Sequence, residues 1–173
     1  RATFPYRVNC KLLMRFVTTS GTDKYFVCSG TMMDSEVVLT AAHCVFNRDA
    51  DINDWAAEIW VYPAWANDGS GTDNQAQSYG EARGTSYIAG SGYVNSGDWD
   101  RDNAAVRVTR AVGQLTGSFG WAWGFDCATI QGRTYNNAAY PSEDCNASGT
   151  LHNGRDMIFW SGDVDACPDN QMQ

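Results

Sequence analysis

Hydrophobic positions in this chain come in short runs set off by Gly, Asn, Asp and Ser. Tyr25-Phe-Val-Cys28, Glu36-Val-Val-Leu-Thr40, Glu58-Ile-Trp-Val-Tyr62 and Ala104-Ala-Val-Arg-Val108 are each of strand length. In the last of these, Ala104, Val106 and Val108 alternate with Ala105 and Arg107, the period of two expected of a half-buried strand. Helical periodicity is scarce. The small-residue stretch Ala41-Ala42-His43 reads as a helical turn, and Asp51 to Ala57 reads as a short helix. Many short strands separated by turns predict an all-β sandwich or barrel. Between Ala66 and Gly84 the chain is a long polar loop, and its Asn67–Asn74 stretch carries no core residue. Thr109 to Gly120, glycine-rich with few large apolar groups, reads as a crossover between two sub-structures. No internal repeat or low-complexity tract interrupts this pattern.

Composition narrows the function classes. The 173 residues carry 12 Lys and Arg against 20 Asp and Glu, a formal charge of −8. That balance argues against nucleic acid as a partner, because phosphate affinity rests on neutralising cations. An apolar fraction of 43%, with seven Trp, eight Tyr and seven Phe, supplies a hydrophobic core and excludes a disordered tail. A membrane is not expected either. The longest apolar candidate, Val37 to Phe46, is interrupted by Thr40 and His43 and falls far short of the roughly 20 residues a spanning helix needs.

The six cysteines (Cys10, Cys28, Cys44, Cys127, Cys145, Cys167) form an even set without a C-x-x-C pair, which suits disulfides better than zinc or an iron–sulfur cluster. Disulfides point to an oxidising compartment and a secreted protein. The start at Arg1, without Met or an apolar leader, reads as the product of signal or pro-segment cleavage. Asn146-Ala147-Ser148 is the one N-x-[ST] acceptor and reads as an ordinary polar turn.

One constellation carries chemistry. Leu39-Thr-Ala-Ala-His-Cys44 follows an expected strand, and Cys28-Ser-Gly-Thr31 precedes it by sixteen residues. Here the sequence resembles the chymotrypsin-like serine proteases, whose general-base histidine sits in T-A-A-H-C. By that resemblance His43 is the base and Cys44 pairs with Cys28. A disulfide closing so short a loop is worth roughly 3 kcal/mol and pins the backbone beside the imidazole. The second histidine, His152, stands in Leu151-His-Asn-Gly154 without such context and reads as a loop residue. A triad also needs a carboxylate to hold the imidazole's tautomer and stabilise the imidazolium. Gly97-Asp-Trp-Asp-Arg-Asp-Asn103 offers Asp98, Asp100 and Asp102. The family places its aspartate just before an alternating strand of the type D-x-A-x-[VL]-[KR]-[LV], and Asp102 is the one in register. The same run opens like an EF-hand loop, but Asn103 stands where Gly is required and Thr109 where Glu is required.

The nucleophile does not follow. The family's serine lies in G-x-S-G after the aspartate, whereas Ser118, Ser142, Ser148 and Ser161 all lack a glycine two residues before them. Ser86 has Gly84 before it but precedes Asp102 and is followed by Tyr87. Two explanations stand: a serine on a companion chain, the C-terminal fragment of the same precursor, or a degenerate homologue that binds without cutting. Asn170-Gln-Met-Gln173 resembles the stretch upstream of the serine loop in the V8-like glutamyl endopeptidase branch, and Thr3-Phe-Pro-Tyr-Arg7 resembles that branch's mature start. The cut explanation is preferred on that basis.

The resemblance implies a secreted serine endopeptidase acting on polypeptides, with the chymotrypsin-like double six-stranded β-barrel. Residues 1–112 would form the N-terminal arm and first barrel, bearing His43 and Asp102. Residues 113–173 would form the first part of a second barrel, incomplete in this chain and completed by another. Cys10, Cys127, Cys145 and Cys167 allow three pairings, with a lean toward Cys10 with Cys127 and Cys145 with Cys167. No cofactor is expected. The 67–74 loop reads as a solvated surface, with calcium as its alternative because some relatives bind calcium between base and aspartate.

Overall fold

A computed structural model describes residues 3–67, 75–120, 122, 124–141, 154 and 156–164. Its centre is a closed barrel whose strands lie between residues 9 and 108. The first strand, β1 (Asn9–Val17), follows a 3-10 turn at Tyr6–Val8 and sends Cys10, Leu12, Met14 and Phe16 inward, each at most 1% exposed. A turn across Thr18 to Thr22 leads into β2 (Asp23–Met32), which pairs with β1 along its whole length from Asn9↔Thr31 to Val17↔Asp23. β3 (Val37–Thr40) follows, and then a 3-10 turn at Ala42–Cys44 carries His43. Two short strands, β4 (Phe46–Asn47) and β5 (Asp54–Trp55), pair with each other before β6 (Glu58–Pro63) returns along β1. The polar excursion after β6 contains the pair β7 (Ala66–Asn67) and β8 (Gln75–Ala76). β9 (Ala82–Ala89), helix α1 (Ser91–Ser96), a 3-10 turn at Trp99–Arg101 and β10 (Ala104–Val108) complete the unit.

The antiparallel order β1-β2-β3-β10-β9-β6 closes on itself, so each of the six strands has a neighbour on both sides and no edge is left open. Leu12, Met14, Phe16, Met32, Val38, Ile59, Val61 and Val106 fill the interior at 0–1% exposure. They are the inward half of the period-two pattern.

After β10 the character changes. Helix α2 (Gly113–Thr116) lies within the expected crossover, and α3 (Cys127–Gln131) precedes a hairpin of β11 (Thr134–Ala139) and β12 (Ile158–Asp163). That hairpin forms a two-stranded sheet of its own, with Phe159 48% and Trp160 55% exposed. Tyr140 joins it to the barrel. This side chain is 1% exposed, its amide donates to Ser29 Oγ at 2.8 Å and its hydroxyl donates to Trp65 O at 3.1 Å. Among the described residues after β10 this hairpin is the only sheet, and no second closed barrel is formed.

Two sequence expectations are corrected. Asp51 to Ala57 is not a helix: Ile52 and Asn53 donate to Asp49 O in a single turn, Asn53 takes φ +42, and the chain reverses into β5. The left-handed residue ends the turn before a second one can form. The Cys10–Cys127 tether is also not formed. Cys10 is a free, buried thiol on the inward face of β1, in register between Gly30 and Pro63 of the flanking strands, whereas Cys127 is disulfide-bonded elsewhere. The inward face of β1 leaves Cys10 no path to the outside. Cys145, Cys167, Asn146 and His152 lie outside the described residues.

Candidate active site

The disulfide expected beside the histidine is present. Cys28 on β2 and Cys44 at the end of the 3-10 turn are bonded across a Cα–Cα distance of 6.2 Å, within the ordinary range. The turn itself is short because Cys44 and Val45 donate back to Ala41 O and Ala42 O before the chain enters β4. His43 is thereby fixed between a strand, a covalent bridge and a second strand. Its imidazole remains about half exposed, at 47%.

Asp102 reaches it from just before the neighbouring strand β10. The β3–β10 ladder sets Thr40 opposite Ala104, which brings the residues just beyond β3 beside those just before β10. Asp98 caps the intervening 3-10 turn by accepting from Asp100 N at 3.0 Å. The turn also needs a bare backbone opposite it: a Cβ on Gly90 would stand 2.2 Å from Arg101 O. Of the three aspartates, Asp98 and Asp100 are exposed, and Asp102 is 16% exposed with both oxygens on His43. Oδ1 accepts from the His43 backbone amide at 2.8 Å, and Oδ2 lies 2.7 Å from Nδ1. A carboxylate can only accept, so Nδ1 carries the proton of a neutral ring and Nε2 is left as its acceptor. One carboxylate thus fixes the ring's position and tautomer together.

The pair stands at a partition between two cavities. Asp102 borders a cleft of about 910 Å³ walled on one side by Thr40, Ala41 and Phe119 and on the other by Thr134–Ala139 of β11 and Phe159 of β12. His43 borders a smaller pocket of about 410 Å³ with Phe26, Arg48, Tyr93 and Trp99. The Trp99 ring lies 6.0 Å from that of His43 and 5.3 Å, edge-on, from that of Tyr93. Burial, and secondarily the Asp102 carboxylate, hold the Tyr93 phenol above its usual pKa. Sequence reasoning missed Arg48, Tyr93 and Trp99. Trp99 carried a signal, an aromatic set among aspartates just upstream of Asp102, but Arg48 carried none.

Among the described residues one grouping has metal-donor spacing: ligand atoms of Cys28, His43 and Cys44 lie within 4.8 Å of one another. Its two sulfurs are bonded to each other, so the thiolates that a soft metal takes are not on offer. The loop weighed for calcium, residues 67–74, lies outside the described residues except for the backbone of Asn67. No helix among the described residues is long and apolar enough to cross a membrane.

Comparison with known proteins agrees with this geometry. The family model described as Trypsin matches residues 9–168. The curated relatives include the protein named extracellular metalloprotease of Bacillus subtilis (strain 168), 29% identical over 69% of this chain and 34% of its own. The glutamyl endopeptidase of Bacillus licheniformis is 26% identical over 73% of this chain and 36% of its own. Solved structures with the same fold include a Glu endopeptidase in complex with MPD, with TM-score 0.69 and 22% identity over 98% of this chain and 66% of that one. Protease Anisep from Arthrobacter nicotinovorans has TM-score 0.69 and 21% identity over 98% of this chain and 69% of that one. The chain thus spans about a third of the length of these curated relatives and about two thirds of these structures. With the family match running through the barrel, the His43–Asp102 pair and the hairpin beyond, the chain belongs to the trypsin family.

Proposed function

We propose that this chain is the base-bearing part of a secreted serine endopeptidase of the glutamyl endopeptidase type, whose nucleophile lies on polypeptide outside residues 1–173. The observation that carries this reading is the two-point grip of Asp102 on His43 at 2.8 and 2.7 Å. In the reaction His43 Nε2 takes the proton of a serine hydroxyl as its oxygen bonds to the substrate's carbonyl carbon. The same proton then passes to the leaving amine as the peptide C–N bond breaks. Water, deprotonated by the same nitrogen, releases the acyl group. Asp102 stabilises the imidazolium at each transfer without itself being protonated.

Two features support a serine from elsewhere. No serine after Asp102 stands in G-x-S-G. The cleft beside Asp102 has one wall from the barrel and one from the hairpin, the space that the remaining strands of a second barrel and its serine loop would occupy. The word metalloprotease in one relative's name finds no matching donor set among the described residues. Secretion is supported by the Cys28–Cys44 disulfide.

A fluorophosphonate probe applied to the full precursor tests the reading. Labelling of a G-x-S-G serine outside residues 1–173, lost in His43→Ala, is the expected result. Absence of labelling in the folded native protein, or labelling of a serine within this chain, overturns it; the former outcome marks a protease-like binding module.

A further inference from the structure

His43 and Asp102 belong to segments that run past each other, and the β3–β10 ladder ties those segments on one side. On the other side, the chain leaving His43 passes through β4 to Arg48, and the chain approaching Asp102 comes through α1 and the Trp99–Arg101 turn. Arg48 crosses between them. Its Nη1 donates to Tyr93 O at 3.1 Å and to Val94 O at 2.6 Å. These carbonyls belong to the end of α1, a helix with no basic residue in its own last turn. Helix C-termini leave carbonyls without intrahelical donors and favour a cation there.

The helix stops at Gly97, whose φ of +74° suits glycine and whose amide shares Tyr93 O with Arg48. A Cβ at Gly97 would lie 3.0 Å from Arg48 Nε, so the guanidinium rests against the backbone of that turn. From there the contacts continue inward. Tyr93, 3% exposed, packs edge-on against Trp99, and the Trp99 ring stands tilted beside that of His43 at 6.0 Å.

Resting on the endopeptidase reading, we propose that Arg48 is a positioning residue that straps α1 and the aspartate-bearing turn to the histidine segment. It holds imidazole and carboxylate in register while the proton moves. Arg48 acts through Tyr93, Val94 and Trp99, not through the reacting atoms.

Arg48→Met and Arg48→Lys in the active enzyme, assembled with its nucleophile-bearing portion, test this. The Met variant is expected to lose about tenfold in kcat with KM changed by less than about twofold, because small misplacements of a base are costly to the chemical step. The Lys variant, which keeps a cation able to reach a carbonyl, recovers part of the loss. The low-field proton resonance of His43 Nδ1–H gives a readout independent of turnover, and it should broaden in the Met variant. A Met variant with wild-type kcat and an unchanged resonance overturns the proposal. So does a lowered thermal midpoint with kcat intact, which would make Arg48 a structural tie alone. If the wild-type protein neither hydrolyses peptides nor reacts with fluorophosphonate, the endopeptidase reading fails, and the resonance still decides whether Arg48 holds the pair.

Discussion

The barrel that carries His43 and Asp102 and the hairpin that faces it across the cleft are built from the same kind of element, yet they stand on different footings. In the barrel each of six strands is paired on both sides, and Leu12, Phe16, Val38 and Val106 are fully buried. In the hairpin β11 and β12 pair with each other, and Phe159 and Trp160 are left about half exposed. An isolated two-stranded hairpin is marginal in water; this one is held to the barrel through Tyr140. The difference teaches where exactness resides. The proposed proton-moving groups, His43 and Asp102, sit on the half whose strands are all paired. The less supported half is the one bordering the larger cleft.

The sharpest test removes chemistry from the rigid half without disturbing its shape. Asp102→Asn in the assembled enzyme should cost about 10⁴-fold in kcat while the barrel's circular dichroism is retained, because the amide no longer enforces the Nδ1–H tautomer. Retained turnover in a kinetic assay would place the working base elsewhere. Next in size is a paired truncation. Leu12→Ala should lower unfolding free energy by about 2–5 kcal/mol in denaturant titrations. Phe159→Ala in the chain alone, which removes a half-exposed ring and its edge contact with Tyr6, should cost less, about 0.5–1.5 kcal/mol. Equal losses would break the contrast between the halves, and a larger Phe159→Ala effect in the assembled enzyme would sharpen it.

Replacing Cys28 and Cys44 together by Ser should cost roughly 3 kcal/mol, since the bridge closes a separation of 16 residues. Melting with and without reductant reads that loss together with the loss of the Cys127 bridge. The smallest effect concerns Tyr93, whose phenol burial and then Asp102 hold above its usual pKa. A group that keeps its proton more tightly when folded stabilises fully below its unfolded pKa, and that contribution drains away as pH rises past about 10. Tyr93→Phe should flatten part of the alkaline fall in thermal midpoint. Tyr62, Tyr87 and Cys10, also raised by burial, keep the rest.

The His43–Asp102 pair was legible in the sequence because its spacing is dictated by backbone pairing. T-A-A-H-C ends a strand, and Asp102 stands in register with Ala104, Val106 and Val108, the strand that pairs beside it. β1 was not legible: in Asn9–Val17 the run Leu12-Leu13-Met14 hides the alternation that burial reveals. β11, Thr134–Ala139, has no apolar alternation and is a strand through its partner β12. Arg48 left no mark because its partners are backbone carbonyls, which no side-chain pattern announces. The Cys10–Cys127 pairing, unlike Cys28–Cys44, was not legible for a related reason. Even counts suggest bridges, but which face of a strand a cysteine occupies is decided by register.

That face has a further consequence. Cys10 is fully enclosed, its thiol donates to Val8 O at 3.5 Å, and burial pushes its pKa up. Thiolate is the species that attacks sulfur–sulfur bonds, so an enclosed thiol is chemically silent. During oxidation of the new chain, Cys10 can join wrong linkages only while β1 is still outside the closed sheet. Scrambled isomers bridged through Cys10 would therefore mark molecules whose barrel never shut, and peptide mapping without reduction would count them.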